Sequence, residues 1–422
     1  MSKLLPALQK FYNALKHLEQ FSLESSFFDN IGALDAFLSE YRSTTLVLQE
    51  SLGGNSDPIY QKNLSEYLTK DEMVIKWLND QRVNIIHRHP FRLKKVLKVV
   101  VYSWGNAIEY KRFEQTVDQE QPFVNYEQLI RNTFMSIAAP EINFSVQYLF
   151  FDESDSQEIN IFDIIEAGIT AMWLFLRAMK TDLGENGGAV DKLMREINEI
   201  YIYRPQRWIC DAIDYCYYRT TDSFERGQIM AMIIPDARTS VSGFINMVKE
   251  SGALVSDFWD SFVWMHSWIY IQQKHNIMST FFIEYEDGSY RTIPFLATLR
   301  TTMYRYINKV AKIATAADVV NVYLVTEMVS YTIPDDGGDT NKFLQLNYHE
   351  KESFRTITFL SFFRVSCLGI VSALMIDAED LVDRVSISTA MGDKKNKEVE
   401  IGSYNMLSPI IKSFKERLNR MS

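Results

Sequence analysis

The residues of this 422-residue chain best suited to chemistry lie between Arg82 and Lys98, in the run RVNIIHRHPFRLKKVLK. The run holds six cations (Arg82, Arg88, Arg92, Lys94, Lys95 and Lys98), two of the six histidines, and no acid. An imidazole near neutral pH takes or gives a proton. A guanidinium grips a phosphate through two N–H groups and stabilises the charge of a phosphorane. Together they suffice for RNA transesterification, in which a 2′-hydroxyl attacks the adjacent phosphate, without a metal. On a helix, Arg82 and His87 would lie about 7.5 Å apart along the axis and about 140° apart around it. They would therefore have to converge across a cleft or a subunit interface. Arg82 and His89 would be nearly eclipsed, but Pro90 disturbs a helix there. Asn84, one turn before His87, is placed to orient a ring or a phosphate.

This basic run stands against an acidic background. The chain has 44 Lys and Arg against 54 Asp and Glu, a formal charge of −10. Such a total argues against a protein coated in nucleic acid or spread on an anionic membrane, and makes a local reversal of sign the informative feature. Other candidates are weaker. His266 sits among Trp264 and Trp268 in an aromatic helix and reads as a core or interface histidine. Glu327, inside an apolar strand, reads as solvent-facing on an edge strand, with a buried, pKa-shifted carboxylate as the alternative. His17, His275 and His349 stand alone, so no metal site is expected. Asp335, Asp336 and Asp339 lack the calcium-loop pattern, the Gly184–Gly188 region lacks the Lys-Ser/Thr of a phosphate loop, and no GxSxG occurs. Cys210, Cys216 and Cys367 form no disulfide or zinc pattern; they read as small buried apolar groups in a reducing compartment, the cytoplasm. The many aromatic residues read as core rather than as base-stacking platforms.

The elements that must position the basic run can be read from periodicity. Length alone suggests two or three domains. Phe28 to Leu52 has a helical period and stops at the turn signal Gly53-Gly54-Asn55-Ser56-Asp57-Pro58. Further helices are expected over Pro58–Leu68, over Asp71 to about Arg88, and from Pro90 through Val96, Leu97, Val100 and Trp104. Four helices with short links suggest an up-down bundle. A polar stretch at Gln115–Pro122 follows. Asn143–Asp152 alternates as a strand. Ile161–Lys180 is a strongly apolar helix broken at Gly184–Gly188, with helices expected at Val190–Tyr201 and around Trp208–Tyr218. Then come a hairpin over Thr280–Ile293 turning at Asp287-Gly288, a helix over Pro294–Ala314, and a strand over Val319–Ile333. Thr356–Ile376 reads as one long strand or two, and a helix from Met406 ends the chain. Charged residues inside Asn160–Met179 and Thr356–Ile376 argue for core elements rather than membrane spans. No secretory signal opens the chain.

The segment Arg82 to His89 resembles the R-x4–6-H signature of HEPN domains, and Phe28–Gln49 (FDNIGALDAFLSEYRSTTLVLQ) is similar to the first long helix of their bundle. The resemblance covers about a quarter of the chain. It implies a four-helix domain that dimerises, with two copies of the motif meeting in one groove. Active members of the family are metal-independent ribonucleases, often in toxin–antitoxin and phage-defence systems. By position Arg82 would be the motif arginine and His87, or alternatively His89, the motif histidine. Active members usually carry a polar residue directly after the arginine; here that place is Val83, and Asn84 follows.

The expectation is thus an α+β protein in three parts: a HEPN-like helical bundle over residues 1–117, a mainly helical region with one or two strands over 118–238, and an α+β domain over 239–422. Arg82 and His87 are the expected catalytic pair, with Asn84, Arg88, His89, Arg92 and Lys95 binding substrate, no metal and no cofactor. The expected partners are RNA, a second copy of the chain and a protein partner, with no membrane. The competing expectation is a non-catalytic dimeric interaction or sensor protein with an inactive HEPN-like bundle.

Overall fold

The computed structural model describes the chain except residues 1, 24, 55, 70–73, 75, 79, 82–91, 118–124, 136, 138, 140, 154–158, 204–210, 229–237, 333–342, 344–345, 347, 393–398, 402–404 and 422. The class is α+β: helices lead the chain and two antiparallel sheets follow.

Helix α1 (Leu5–Leu18) and helix α2 (Phe27–Ser51) open the fold. Ser26 starts α2 as its N-cap, its hydroxyl accepting from Asp29 N at 3.1 Å. Helix α3 (Pro58–Asn63) has proline in its first turn and Asp57 as cap, and a further turn, Leu64–Leu68, continues it. Residues within 74–81 are also helical. The fourth helix expected after Pro90 is corrected: Leu93–Tyr102 is strand β1, paired antiparallel with β2 (Glu109–Val117) and β3 (Glu141–Asp152). Apolar residues at helical spacing misled there because β1 is buried on both faces, which erases any period, while Val96, Val99, Val100 and Val101 favour the extended chain.

The helices that complete the N-terminal core come from farther along: α5 (Ile161–Leu183) and α6 (Gly188–Tyr203), with the short α4 (Tyr126–Phe134) before them. Leu8, Phe11 and Leu15 of α1 and Phe37 and Leu38 of α2 share one core with Ile169, Phe175 and Leu176 of α5 and Ile197 of α6. Tyr41 Oη donates to Gly168 O at 2.8 Å, and a Cβ at Gly168 would collide with Leu78, so this glycine lets the 74–81 turn lie close against α5. Gly184, at φ +65°, ends α5 as expected.

Strand β4 (Ile213–Tyr218) corrects the helix expected around Trp208–Tyr218; Trp208 itself lies outside the described residues. With β5 (Ser223–Arg226) it completes a five-stranded sheet in the order β2-β1-β3-β4-β5. That sheet therefore joins residues 93–117 to strands from 141–226.

The second sheet contains β6 (Thr239–Ser240), β7 (Ser279–Tyr285), β8 (Ser289–Phe295), β9 (Val319–Tyr331), β10 (Arg355–Ser366), β11 (Val371–Asp377) and β12 (Val399–Ile401), in the order β12-β11-β10-β9-β7-β8-β6. The β7–β8 hairpin turns where the sequence places it, with Gly288 at φ +72° and Asp287 accepting from Ser289 N at 2.9 Å. Thr356–Ile376 resolves into two paired strands.

On one face of this sheet lie α7 (Val241–Glu250), α8 (Phe258–Gln272) and α11 (Arg384–Gly392). Between α7 and α11 in the chain come α9 (Arg300–Ile313) and the short α10 (Tyr348–Glu352). The other face packs against α9 and the C-terminal α12 (Ser408–Met421). Helix α9 starts later than expected because β8 runs on to Phe295. Among the described residues no helix is long and apolar enough to cross a membrane. Arg364, the charge inside the apolar 356–376 stretch, lies over the Trp259 ring at 5.4 Å.

Candidate nucleic-acid interface

Arg82, Asn84, His87, Arg88 and His89 lie outside the described residues. The residues on either side of them do not. Gln81 Nε2 donates to Asp152 at 2.6 Å, a buried bond, and Glu153 N donates to Arg92 O at 2.9 Å. Both flanks of the 82–91 segment are thus tied to consecutive residues at the end of β3.

Arg92 is exposed at the start of β1. From there strand alternation sorts the cations. Lys95 shares a face with Leu97 and Val99, is only 8% exposed, and places its ammonium 4.6 Å from the centre of the Tyr148 ring. Burial lowers its pKa, and no carboxylate pairs with it among the described residues. A cleft of about 320 Å³ opens between β1, β2 and α4, lined by Leu97, Val99, Phe113 and Leu129 together with Arg112, Glu114 and Gln115. Lys94 and Lys98 point to the other face. Lys94 lies 5.9 Å from the Phe151 ring centre. The pKa of Lys98 is lowered by burial first, then by the like charges of Arg112 and Lys312; Glu109 and Glu114 act in the opposite sense. The strand therefore places cations on both of its faces and separates Lys95 from Lys94 and Lys98.

Sequence reasoning missed a partly buried polar seam between this sheet and α9. Arg305 grips Asp214 through three bonds of 2.9–3.1 Å. Burial alone would lower the guanidinium's pKa, and Asp214 reverses the sign. Arg300 reaches Glu141 at 2.7 Å, and Thr301 Oγ1 donates to Asn143 at 2.9 Å. Nothing in the order of residues points to pairings across such separations.

Glu327 is also corrected. It lies on β9 opposite Leu360 of β10, two residues past Val325 where the pairing with β7 ends, and it is half-buried rather than solvent-facing. Burial raises its pKa, opposed by a hydrogen bond from Tyr270 and by Arg355 and His275. The Tyr270 and His275 rings are 5.2 Å apart. His266 is a core residue as expected, its Nδ1–H donating to Phe262 O at 2.8 Å between the rings of Phe262 and Phe282. Cys216 is buried, which pushes its thiol pKa up; Cys367 is half-buried, and both are free. Cys210, Asp335, Asp336 and Asp339 lie outside the described residues. Among the described residues no group of three or more His, Cys, Asp or Glu is arranged to hold a metal ion. No family model, no curated protein and no solved structure matches the chain.

Proposed function

We propose that this chain acts on RNA in the cytoplasm, holding it along the basic run Arg82–Lys98 and cleaving it without a metal through Arg82 and His87. The observation that carries this reading is the run itself: six cations and two histidines with no acid in a chain of charge −10. The described half of the run adds support, because Lys95 and Lys98 have no ion pair among the described residues and both are partly stripped of water. Cations in that condition gain from a polyanion.

In the proposed reaction the His87 imidazole takes the proton of a ribose 2′-hydroxyl. The freed oxygen attacks the adjacent phosphorus, and Arg82 stabilises the phosphorane charge. The 5′-oxygen leaves as a hydroxyl, taking up the proton that His87 removed, and a 2′,3′-cyclic phosphate remains. Asn84, Arg88, His89, Arg92 and Lys95 would position the strand. The HEPN resemblance adds a second copy of the chain, which would bring two motifs into one groove, and a role in defence or as a toxin.

The test is incubation of the purified protein with labelled total RNA in EDTA, beside Arg82→Ala and His87→Ala. Cleavage by the wild type alone, leaving cyclic phosphate ends, is the expected result. The second reading is a non-catalytic dimeric interaction protein. It is favoured by one feature, the strand at Leu93–Tyr102 where the resemblance implies a continuing helix. An intact dimer by light scattering that cleaves nothing would decide for it.

A further inference from the structure

Three of the four sheet edges are short: β5 has four residues, β12 three and β6 two. The fourth edge, β2, has nine residues, contains no proline, and carries no strand on its outer side among the described residues. A row of unpaired backbone N–H and C=O groups on such an edge is a template for another strand, and proteins blunt it by shortness, proline or cover. Apart from Glu109, Phe113 and Val117, every residue of β2 is exposed. Its one irregularity, a register shift opposite Val101 and Tyr102, lies at its start.

Two bonds at the ends of β1 fix which backbone groups of β2 face outward. Glu153 N donates to Arg92 O, so the even-numbered residues of β1 turn their backbone groups to β3. Ser103 N donates to Ile108 O at 2.8 Å, so the odd-numbered residues turn theirs to β2. Leu97, Val99 and Val101 stand opposite Gln115, Phe113 and Lys111. Those three β2 residues therefore bond inward. Arg112, Glu114 and Thr116 turn their N–H and C=O groups to the open edge.

The side chains of the same stretch decide what fits there. A twofold axis normal to the sheet pairs β2 antiparallel with a second β2 and centres on one residue. Centred on Lys111, Arg112 or Glu114, it would set a charge against its own copy. Phe113 is the middle residue of the strand, so an axis there pairs the strand along its whole length. It sets Phe113 against Phe113, an aromatic cross-strand pair, and sets Arg112 against Glu114 twice. Arg112 also holds Glu109 of its own strand, whereas Glu114 has no ion pair among the described residues. In this register Glu114 stands between Lys98, its cross-strand neighbour on β1, and Arg112 of the second copy. The outward backbone groups of residues 112 and 114 are in phase to bond across the same pairs.

We propose that the outer edge of β2 is a homodimer interface, where two copies join about a twofold axis at Phe113 into one ten-stranded sheet. The antiparallel pairing puts the starts of the two β1 strands at opposite ends of the joined edge. This contact is therefore separate from the groove in which the HEPN resemblance would unite two motifs, and it stands whether or not the chain cleaves RNA.

The test is the mass of the full chain by sedimentation velocity across a dilution series, for the wild type, Arg112→Glu, Glu114→Arg and the double variant. The wild type is expected at twice the 49.1 kDa of one chain. Each single substitution sets like charges opposite each other at two places and should weaken association at least about tenfold. The double variant exchanges the charges and should restore the dimer. An equimolar mixture of the two single variants should restore it too, because every facing pair is then opposite in sign. Both positions are exposed, and rescue in the mixture excludes misfolding as the cause of the loss. A monomeric wild type would overturn the interface, as would a loss that neither the double variant nor the mixture reverses. A dimer indifferent to both single substitutions would overturn it and leave the second copy of the proposed function standing. RNA cleavage in EDTA is scored separately: its failure overturns the proposed reaction and leaves this interface in place.

Discussion

At the scale of single residues, burial rather than residue type decides what each candidate does. His266 is enclosed in an aromatic core, and that burial lowers its pKa from 6.5 to about 4. The unfolded chain therefore takes up this proton at higher pH than the folded one, so folding stability falls as pH drops from about 6.5 towards about 4. The loss attributable to this group approaches about 3 kcal/mol. Denaturant midpoints compared across that window should converge for wild type and His266→Met, with the wild type losing more stability as acid is added; parallel curves would refute the assignment. Lys95 shows the same logic with the opposite charge pattern. Its sequence neighbours suggested a phosphate contact, and the strand instead packs its ammonium on Tyr148. It can reach RNA only as part of a partly desolvated patch.

At the scale of elements, β1 carries the described cations of the candidate interface and α9 braces the sheet they lie on. β1 fits between β2 and β3, and α9 locks the sheet to the second half of the fold through Arg305–Asp214 and Arg300–Glu141. Asp214 is almost fully buried and Arg305 largely so. Removing one partner of such a pair strands the other charge, which typically costs about 3–5 kcal/mol. Arg305→Met should therefore lower unfolding stability by about that amount, measured by urea titration, and Asp214→Leu in the same chain should restore most of it. A single-variant loss below about 1 kcal/mol, the range of an exposed pair, would show that the seam does not hold α9 in place. The sequence shows Arg300 and Arg305 on a helix, but the acids that answer them lie on β3 and β4, and no local pattern joins the two.

At the scale of the whole molecule, the helical core is assembled from the segment before β1 and the segment between β3 and β4. Its members run from Leu4 to Leu93 and resume at Phe150, Ile161–Met179 and Val190–Ile197. Residues 1–117 thus contain about half of that core and one strand, β1, that needs β3 as well as β2 beside it. A fragment of residues 1–117 is expected to lack a cooperative unfolding transition and to bind a hydrophobic dye, because α1 and α2 would expose the face that α5 and α6 cover. A sharp thermal transition in that fragment would show that the N-terminal helices are a self-sufficient bundle.

The sequence by itself determined the α+β class, the long helices α2 and α5, the Asp287-Gly288 hairpin, the strand at Asn143–Asp152 and the burial of His266. Each is written in local features: a 3.6 or 2.0 period, a cap, a turn dipeptide, or an aromatic neighbourhood. It also marked the basic run, because charge is read directly from composition. Only the tertiary structure decided that Leu93–Tyr102 and Ile213–Tyr218 are strands, that Glu327 is half-buried next to Tyr270, and that Arg305 meets Asp214. A strand covered on both faces has lost the alternation that would announce it. A contact between residues 91 positions apart depends on how the sheet and α9 pack, which no segment of the chain encodes alone.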